Sequence, residues 1–308
     1  AQLRQQPWGL PDLAKAVEQA LANDSRSLSN HYQVHNCHWT VQSRRTLVMG
    51  ILNLTPDSFS DGGQHNQLDQ AVARARQMVD EGADILDVGA ESTRPYGATP
   101  ISAQEEMDRL LPALEKILAA VNIPVSIDTY KSEVAEQALR IGAHMLNDIW
   151  GLQREPVMAE LAVKYDVPVV VMHNRQSAES TQDIMGELTK FFRDSLRIGR
   201  AAGMQETQFI LDPGIGFGKT TMQNLEVLGR LAELRSLGFP ILVGTSRKRF
   251  IGEVLGLPVE ERDEGTGATV VHSILNGAAI VRMHDVKMAK RMAVMTDALQ
   301  GWRIDANG

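Results

Sequence analysis

The sequence predicts an α/β fold, a closed (β/α)8 TIM barrel, and three observations carry that prediction. From Thr46 onward, short apolar, β-branched runs alternate with stretches of helical periodicity. There are eight such runs, the number that closes a barrel, whereas an open doubly wound sheet normally has fewer. Polar residues stand at the carboxyl ends of seven of them: Asn53, Asp87, Asp128, Asn147, His173, Asp212 and His284. In a barrel these ends converge on one mouth, where the fold keeps its chemistry. A helix cap or turn explains any one of them. Seven at one register need another reason, and only Asp87 is left to structure.

In chain order the strands are expected at 46–52, 85–88, 124–127, 144–146, 168–172, 209–211, 240–243 and 279–283. Between the first two, Leu68, Ala71, Val72, Ala75, Met78 and Val79 mark one helix face, and Gly82 stops the helix. Met145, Met172 and Met283 are read as barrel-filling side chains. Residues 1–45 form an extension ahead of the 46–308 barrel. In it Leu13, Ala16, Val17, Ala20 and Leu21 repeat at helical spacing, 23–30 reads as a linker, and 32–46 as a hairpin. His35, Cys37 and His38 lie in that hairpin with no second cluster to complete a zinc site.

The totals exclude several classes of function. At 308 residues and 43% hydrophobic the chain buries a large core, and a barrel uses such a length as one domain. A net charge of −7 argues against nucleic acid or an anionic membrane as partner. The single cysteine, Cys37, forbids an internal disulfide and fits a reducing compartment. With no signal-like or membrane-length apolar stretch, a soluble cytoplasmic protein is expected.

Four motifs point to chemistry. The segment 51–63 is too polar and too long for a minimal βα turn, with Phe59 at its centre, and reads as a functional loop. A second loop, 91–97, carries Arg94, a forked donor suited to phosphate or carboxylate. The run 212–220 resembles nucleotide motifs but fails both: Pro213 stands where a P-loop needs glycine, and Lys219 where the dinucleotide pattern needs one. Its glycines suit close backbone approach to a flat ligand. Ser246, Arg247, Lys248 and Arg249 open a helix after the seventh strand, with Ser246 the expected cap. Together with Arg282 and His284 they make an anion corner.

Taken in order, LNLTPDSFSDGG, ESTRP, SIDTYK, NDIWG, MHNR, LDPGIGFGKT, TSRK and VRMHDV resemble the blocks of the dihydropteroate synthases, from about Thr46 to the C-terminus. The MHNR form is similar to enzymes of Gram-positive bacteria. The resemblance implies transfer of a pterin-methyl group from its pyrophosphate ester to p-aminobenzoate, assisted by Mg²⁺. It also implies a homodimer. By the same resemblance Asp128, Asn147, Asp212 and Lys248 hold the pterin, with Met172 and Phe217 over its faces. Asn53 binds Mg²⁺ and pyrophosphate, while Arg94, Arg282 and His284 neutralise the leaving group. Phe59, Thr93 and Pro95 shape the p-aminobenzoate pocket, which implies sulfonamide sensitivity.

Three positions depart from the family pattern. Tyr96 intervenes before Gly97, Arg249 stands where a serine that contacts the p-aminobenzoate carboxylate is frequent, and the stretch before Tyr32 has no counterpart. Two rival readings are a pterin-binding methyltransferase domain of corrinoid pathways and a barrel that binds pterin without turnover. The first has no need of Arg94, Lys248, Arg282 and His284, and intact Asn53, Arg94 and His284 disfavour the second.

Overall fold

The computed structural model describes residues 10–25, 28–42, 44–54, 64–92, 100–176, 178 and 183–301. Its strands are β1 (Ser29–Val34), β2 (Cys37–Gln42), β3 (Leu47–Asn53), β4 (Ile85–Gly89), β5 (Val125–Asp128), β6 (Met145–Asp148), β7 (Val169–Met172), β8 (Phe209–Asp212), β9 (Ile241–Val243) and β10 (Ala278–Met283). The helices are α1 (Leu10–Ser25), α2 (Gln64–Asp80), α3 (Ala103–Ala120), α4 (Ser132–Ile141), α5 (Val157–Tyr165), α6 (Ile184–Ala202), α7 (Thr221–Gly229), α8 (Arg249–Leu255), α9 (Asp263–Leu275) and α10 (Val286–Leu299). Strands β3 to β9 lie side by side in chain order, and β10 closes the barrel against both β9 and β3. Every ladder in it is parallel. Each strand falls within a residue or two of its expected place.

The helical faces follow from the periodicity. In α2, Ala71, Ala75 and Met78 are buried, and Gly82 ends the segment at φ 101°. In α3, Ser102 caps the helix by accepting from the Glu105 N–H at 3.1 Å, and Leu110, Leu114 and Ile117 face the sheet.

Two apolar layers result. One fills the space between barrel and helices. The other fills the barrel itself with Met49, Ile85, Met145, Val170, Ile210, Leu242 and Ile280, one side chain from each of seven strands. Met145 is barrel-filling as expected. Met283 is not: it lies an odd number of residues from Ile280, so it faces the helices.

The hairpin β1–β2 covers the amino end of the barrel. Tyr32 and Val41 join the inner layer, and the Tyr32 and Trp39 rings stack at 5.1 Å. The Tyr32 hydroxyl donates to the Thr207 carbonyl at 2.8 Å. Beneath them His144 accepts from the Val125 N–H at 3.2 Å, which requires a neutral ring nitrogen. Burial, aided by the nearby His35, pushes its pKa down to about 4.

Helix α1 forms, but the apolar stripe that predicts it is not the buried face. Leu13, Val17 and Leu21 are exposed, while Ala14 is buried. The helix is tied down by polar groups at its end. Asn23 donates to the Ser236 carbonyl at 2.9 Å, and Arg235 donates to the Asp24 carbonyl at 2.7 Å. The expected linker is short, since α1 runs to Ser25 and β1 starts at Ser29. No described helix is long and apolar enough to cross a membrane.

Candidate active site

Strand parity builds the site. Side chains two residues apart on a strand share a face. One step beyond the apolar inner layer, therefore, the same strands deliver Asp87, Asn147, Met172, Asp212 and Arg282 to the barrel interior, and Asp128 joins them from β5. Asp128 and Asn147 are register partners, as are Met172 and Asp212. All but Arg282 are nearly or fully buried. Gly89 makes room for Asp128: a Cβ there would stand 3.2 Å from the aspartate Cβ.

Arg282 organises this layer. Its Nε donates to Asp87 Oδ2 at 2.6 Å, and its terminal nitrogen donates to Asp128 Oδ2 at 2.7 Å. Asn147 Nδ2 donates to the same Asp87 oxygen at 2.9 Å. Burial works against the Arg282 charge, but Asp87 and Asp128 more than offset this and raise its pKa above the ordinary arginine value. Burial pushes the Asp128 carboxyl up to about 7, even with Arg282 pulling it down. Asp212 is also raised by burial, against the pull of Lys248.

Three acceptor atoms, Asp87 Oδ1, Asp128 Oδ1 and Asn147 Oδ1, are buried with no partner among the described residues. Buried polar atoms in native proteins are nearly always paired. Asp128 Oδ1 and Oδ1 of its register partner Asn147 therefore suit a flat ligand that brings N–H donors along one edge.

Lys248 reaches the site from the N-cap of α8. Its ammonium donates to the Ile215 carbonyl and sits 4.6 Å above the Phe217 ring. Burial lowers its pKa to about 8, opposed by Asp212. Ser246 is not the cap. It bonds His284 Nδ1 at 2.8 Å, so a strand-end serine orients the histidine instead. Beside His284 a cavity of about 320 Å³ is lined by Arg74, Arg247 and Lys287, with Glu81 and Asp285.

Other expected residues stand apart from this cluster. Asn53 is half-buried at the end of β3. Arg249 is exposed and ion-paired with Glu253 at 2.5 Å. Phe59, Thr93, Arg94, Pro95 and Tyr96 lie outside the described residues. Among the described residues no group of three or more His, Cys, Asp or Glu side chains converges to hold a metal.

His173 faces away from the mouth. Its Nδ1 meets the Lys219 ammonium at 2.8 Å, and its ring packs edge-on to Phe191 at 4.9 Å. Burial, then Lys219 and Arg175, lowers its pKa to about 2, so the ring is neutral and Nδ1 accepts. Lys219 also donates to the carbonyls of Gly214 at 2.9 Å and Phe217 at 3.2 Å, and burial, then Arg175, holds its pKa well below the usual lysine range. Arg175 binds the Gly218 carbonyl, Glu187 and Gln223. These braces shape the loop that presents Phe217, and the sequence reading missed them. The signal was there in Lys219, a cation that fits neither nucleotide motif. Two loop glycines make room for the protein backbone itself: a Cβ at Gly214 would stand 1.9 Å from the His173 carbonyl, and one at Gly218 2.4 Å from the Arg175 carbonyl.

The fold and this layer define a class: a (β/α)8 barrel enzyme with a buried layer of polar side chains at its carboxyl mouth. The chain belongs to the pterin binding enzyme family, whose model matches residues 49–284, and within it to the dihydropteroate synthases. It is 51% identical over 255 residues to the dihydropteroate synthase of Bacillus subtilis (strain 168), covering 83% of this chain and 89% of that protein. A crystal structure of dihydropteroate synthase from Clostridium difficile in the presence of pteroic acid is 50% identical. It superposes with a TM-score of 0.81, covering 83% of this chain and 97% of that one. The Xanthomonas albilineans enzyme with 4-aminobenzoic acid is 39% identical with a TM-score of 0.83, covering 89% and 99%. The Bacillus and Clostridium matches bear out the resemblance to enzymes of Gram-positive bacteria.

Proposed function

We propose that the barrel condenses 6-hydroxymethyl-7,8-dihydropterin pyrophosphate with p-aminobenzoate, giving 7,8-dihydropteroate and pyrophosphate in folate biosynthesis. The row of buried, unpartnered acceptors supports this reading most directly, because the 2-amino pyrimidinone edge of a pterin supplies N–H donors in a row. Asp128, Asn147 and Asp212 take that edge, Met172 and Phe217 cover the ring faces, and Lys248 adds a donor. A site of this kind rejects rings with the wrong edge strongly, since buried polar groups are then left unpaired.

The reacting end lies toward His284. There the methylene carbon–oxygen bond breaks, and its electron pair leaves on pyrophosphate. The pterin ring spreads the positive charge left behind. The lone pair of the p-aminobenzoate nitrogen then forms the carbon–nitrogen bond, and its surplus proton passes to solvent. Catalysis of this type needs charge stabilisation and dry surroundings rather than a strong base. His284 and Arg94 receive the leaving anion, and Arg282 joins them by exchanging one carboxylate partner. Phe59, Thr93, Pro95 and Arg249 border the p-aminobenzoate, Arg249 by leaving Glu253.

The Asn53 carbonyl is a single hard oxygen donor, which fits Mg²⁺ that keeps most of its shell as water and pyrophosphate oxygen. When bound, that ion supplies charge neutralisation for the departing pyrophosphate. A cytoplasmic homodimer belongs to the same proposal.

The test is to incubate the protein with both substrates and Mg²⁺, following dihydropteroate by mass and pyrophosphate by a coupled assay. Product is expected, together with inhibition by excess sulfamethoxazole. Pterin binding without pyrophosphate release would overturn the reading in favour of a binding barrel.

A further inference from the structure

The sequence reading leaves Asp87 to structure, but its contacts give it a more specific task. It is fully buried on β4, where its register partner is Ser126, two residues short of Asp128. Its Oδ2 accepts from the guanidinium of Arg282, a group that only donates. An ion-paired carboxylate only accepts. The atom of Asn147 that stands 2.9 Å from the same oxygen is therefore the amide nitrogen. The partners of Asp87 thus set which end of the Asn147 amide points where. With the nitrogen turned to Asp87, Asn147 Oδ1 is left buried and unpartnered, beside the unpartnered Oδ1 of its register partner Asp128.

We propose that Asp87 is a specificity-determining positioning residue: it holds the Asn147 amide oxygen-outward, so that the site accepts a ring edge made of donors and refuses one that presents an oxygen. The inference rests on the pterin reading and deepens it. Asp87 touches no substrate in this account; it acts through Asn147 and Arg282. Without its charge the Asn147 amide is free to turn and offer its NH₂ group. The edge requirement is then relaxed rather than merely weakened, which separates positioning from a purely structural role.

The experiment compares binding of 6-hydroxymethylpterin, with a 2-amino group, and 6-hydroxymethyllumazine, with a 2-oxo group, to wild type and Asp87→Asn. Wild type is expected to prefer the pterin by at least about 100-fold. In Asp87→Asn that ratio is expected to fall at least about tenfold, chiefly because lumazine binds better. A parallel loss of both affinities at constant ratio would overturn the proposal and leave Asp87 structural. Wild type that binds neither compound would remove the pterin reading itself. Should the variant not fold, side-chain ¹⁵N-asparagine NMR of the wild type decides. One Asn147 amide proton is expected downfield and slow to exchange, and unmoved by 6-hydroxymethylpterin. An amide whose two protons both respond to the ligand contradicts the assignment.

Discussion

At the amino end of the barrel Met49, Ile85, Met145, Val170, Ile210, Leu242 and Ile280 fill the interior, closed over by Tyr32 and Val41 of the hairpin. One step further along five of those strands the interior holds Asp87, Asn147, Met172, Asp212 and Arg282, with Asp128 beside them and three acceptor oxygens without partners. The backbone is the same and so is the direction of the side chains. What changes over two residues, roughly 7 Å of strand, is whether the side chains satisfy one another or wait for a ligand. The difference locates stability at one end and recognition at the other, and substitutions should separate them.

The largest effect expected is on turnover. Asp128→Asn removes an acceptor at the mouth and should cut kcat/KM at least about 10³-fold. Its thermal midpoint at pH 8 should not fall, because burial already disfavours the ionised carboxyl there. A fall in stability as large as the loss of turnover would place Asp128 in the scaffold. At the other end, Tyr32→Ala deletes a ring stacked on Trp39 and bonded to the Thr207 carbonyl. Denaturant unfolding should show a loss of roughly 3–5 kcal/mol, with kcat/KM unchanged well below the transition. Reduced turnover in fully folded Tyr32→Ala would break the division.

The smallest effect is a difference in pH slope. Asp128, raised to about 7, holds a proton in the folded state across a window where the unfolded chain has released it. Its contribution to stability is fully present below about pH 4, falls away between about pH 4 and 7, and is gone above that. His144, lowered to about 4, works the other way. It stays neutral when folded while the unfolded chain protonates below about pH 6.5, so its contribution is lost as pH falls. Stability measured at pH 5 and pH 8 should show Asp128→Asn gaining on wild type as pH rises, and His144→Asn gaining as pH falls. Slopes of the same sign would contradict the assignment.

Much of this was legible in the residues. Eight β-branched runs gave the barrel, and the polar residues after them gave the mouth, because parallel strands must all end on one side. Parity was the part left unread. Counting by twos from Ile85 and Ile280 puts Asp87 and Arg282 inside together, where they pair, and turns Met283 out. The His173–Lys219 brace was half legible: Lys219 fits neither nucleotide motif, but its partner lies 46 residues away and meets it only through the packing of a loop. The exposed stripe of α1 shows the limit of periodicity: a repeating apolar face predicts a helix, but what the helix packs against is a tertiary matter.

The most direct test sets the two ends side by side: kcat/KM and unfolding free energy measured on Asp128→Asn and Tyr32→Ala under the same conditions. The account predicts a crossover, with turnover lost and stability kept in the first, and stability lost and turnover kept in the second. Two variants that lose both properties in proportion would mean that the ends are not separable, and that the polar layer at the mouth is part of the core rather than the site.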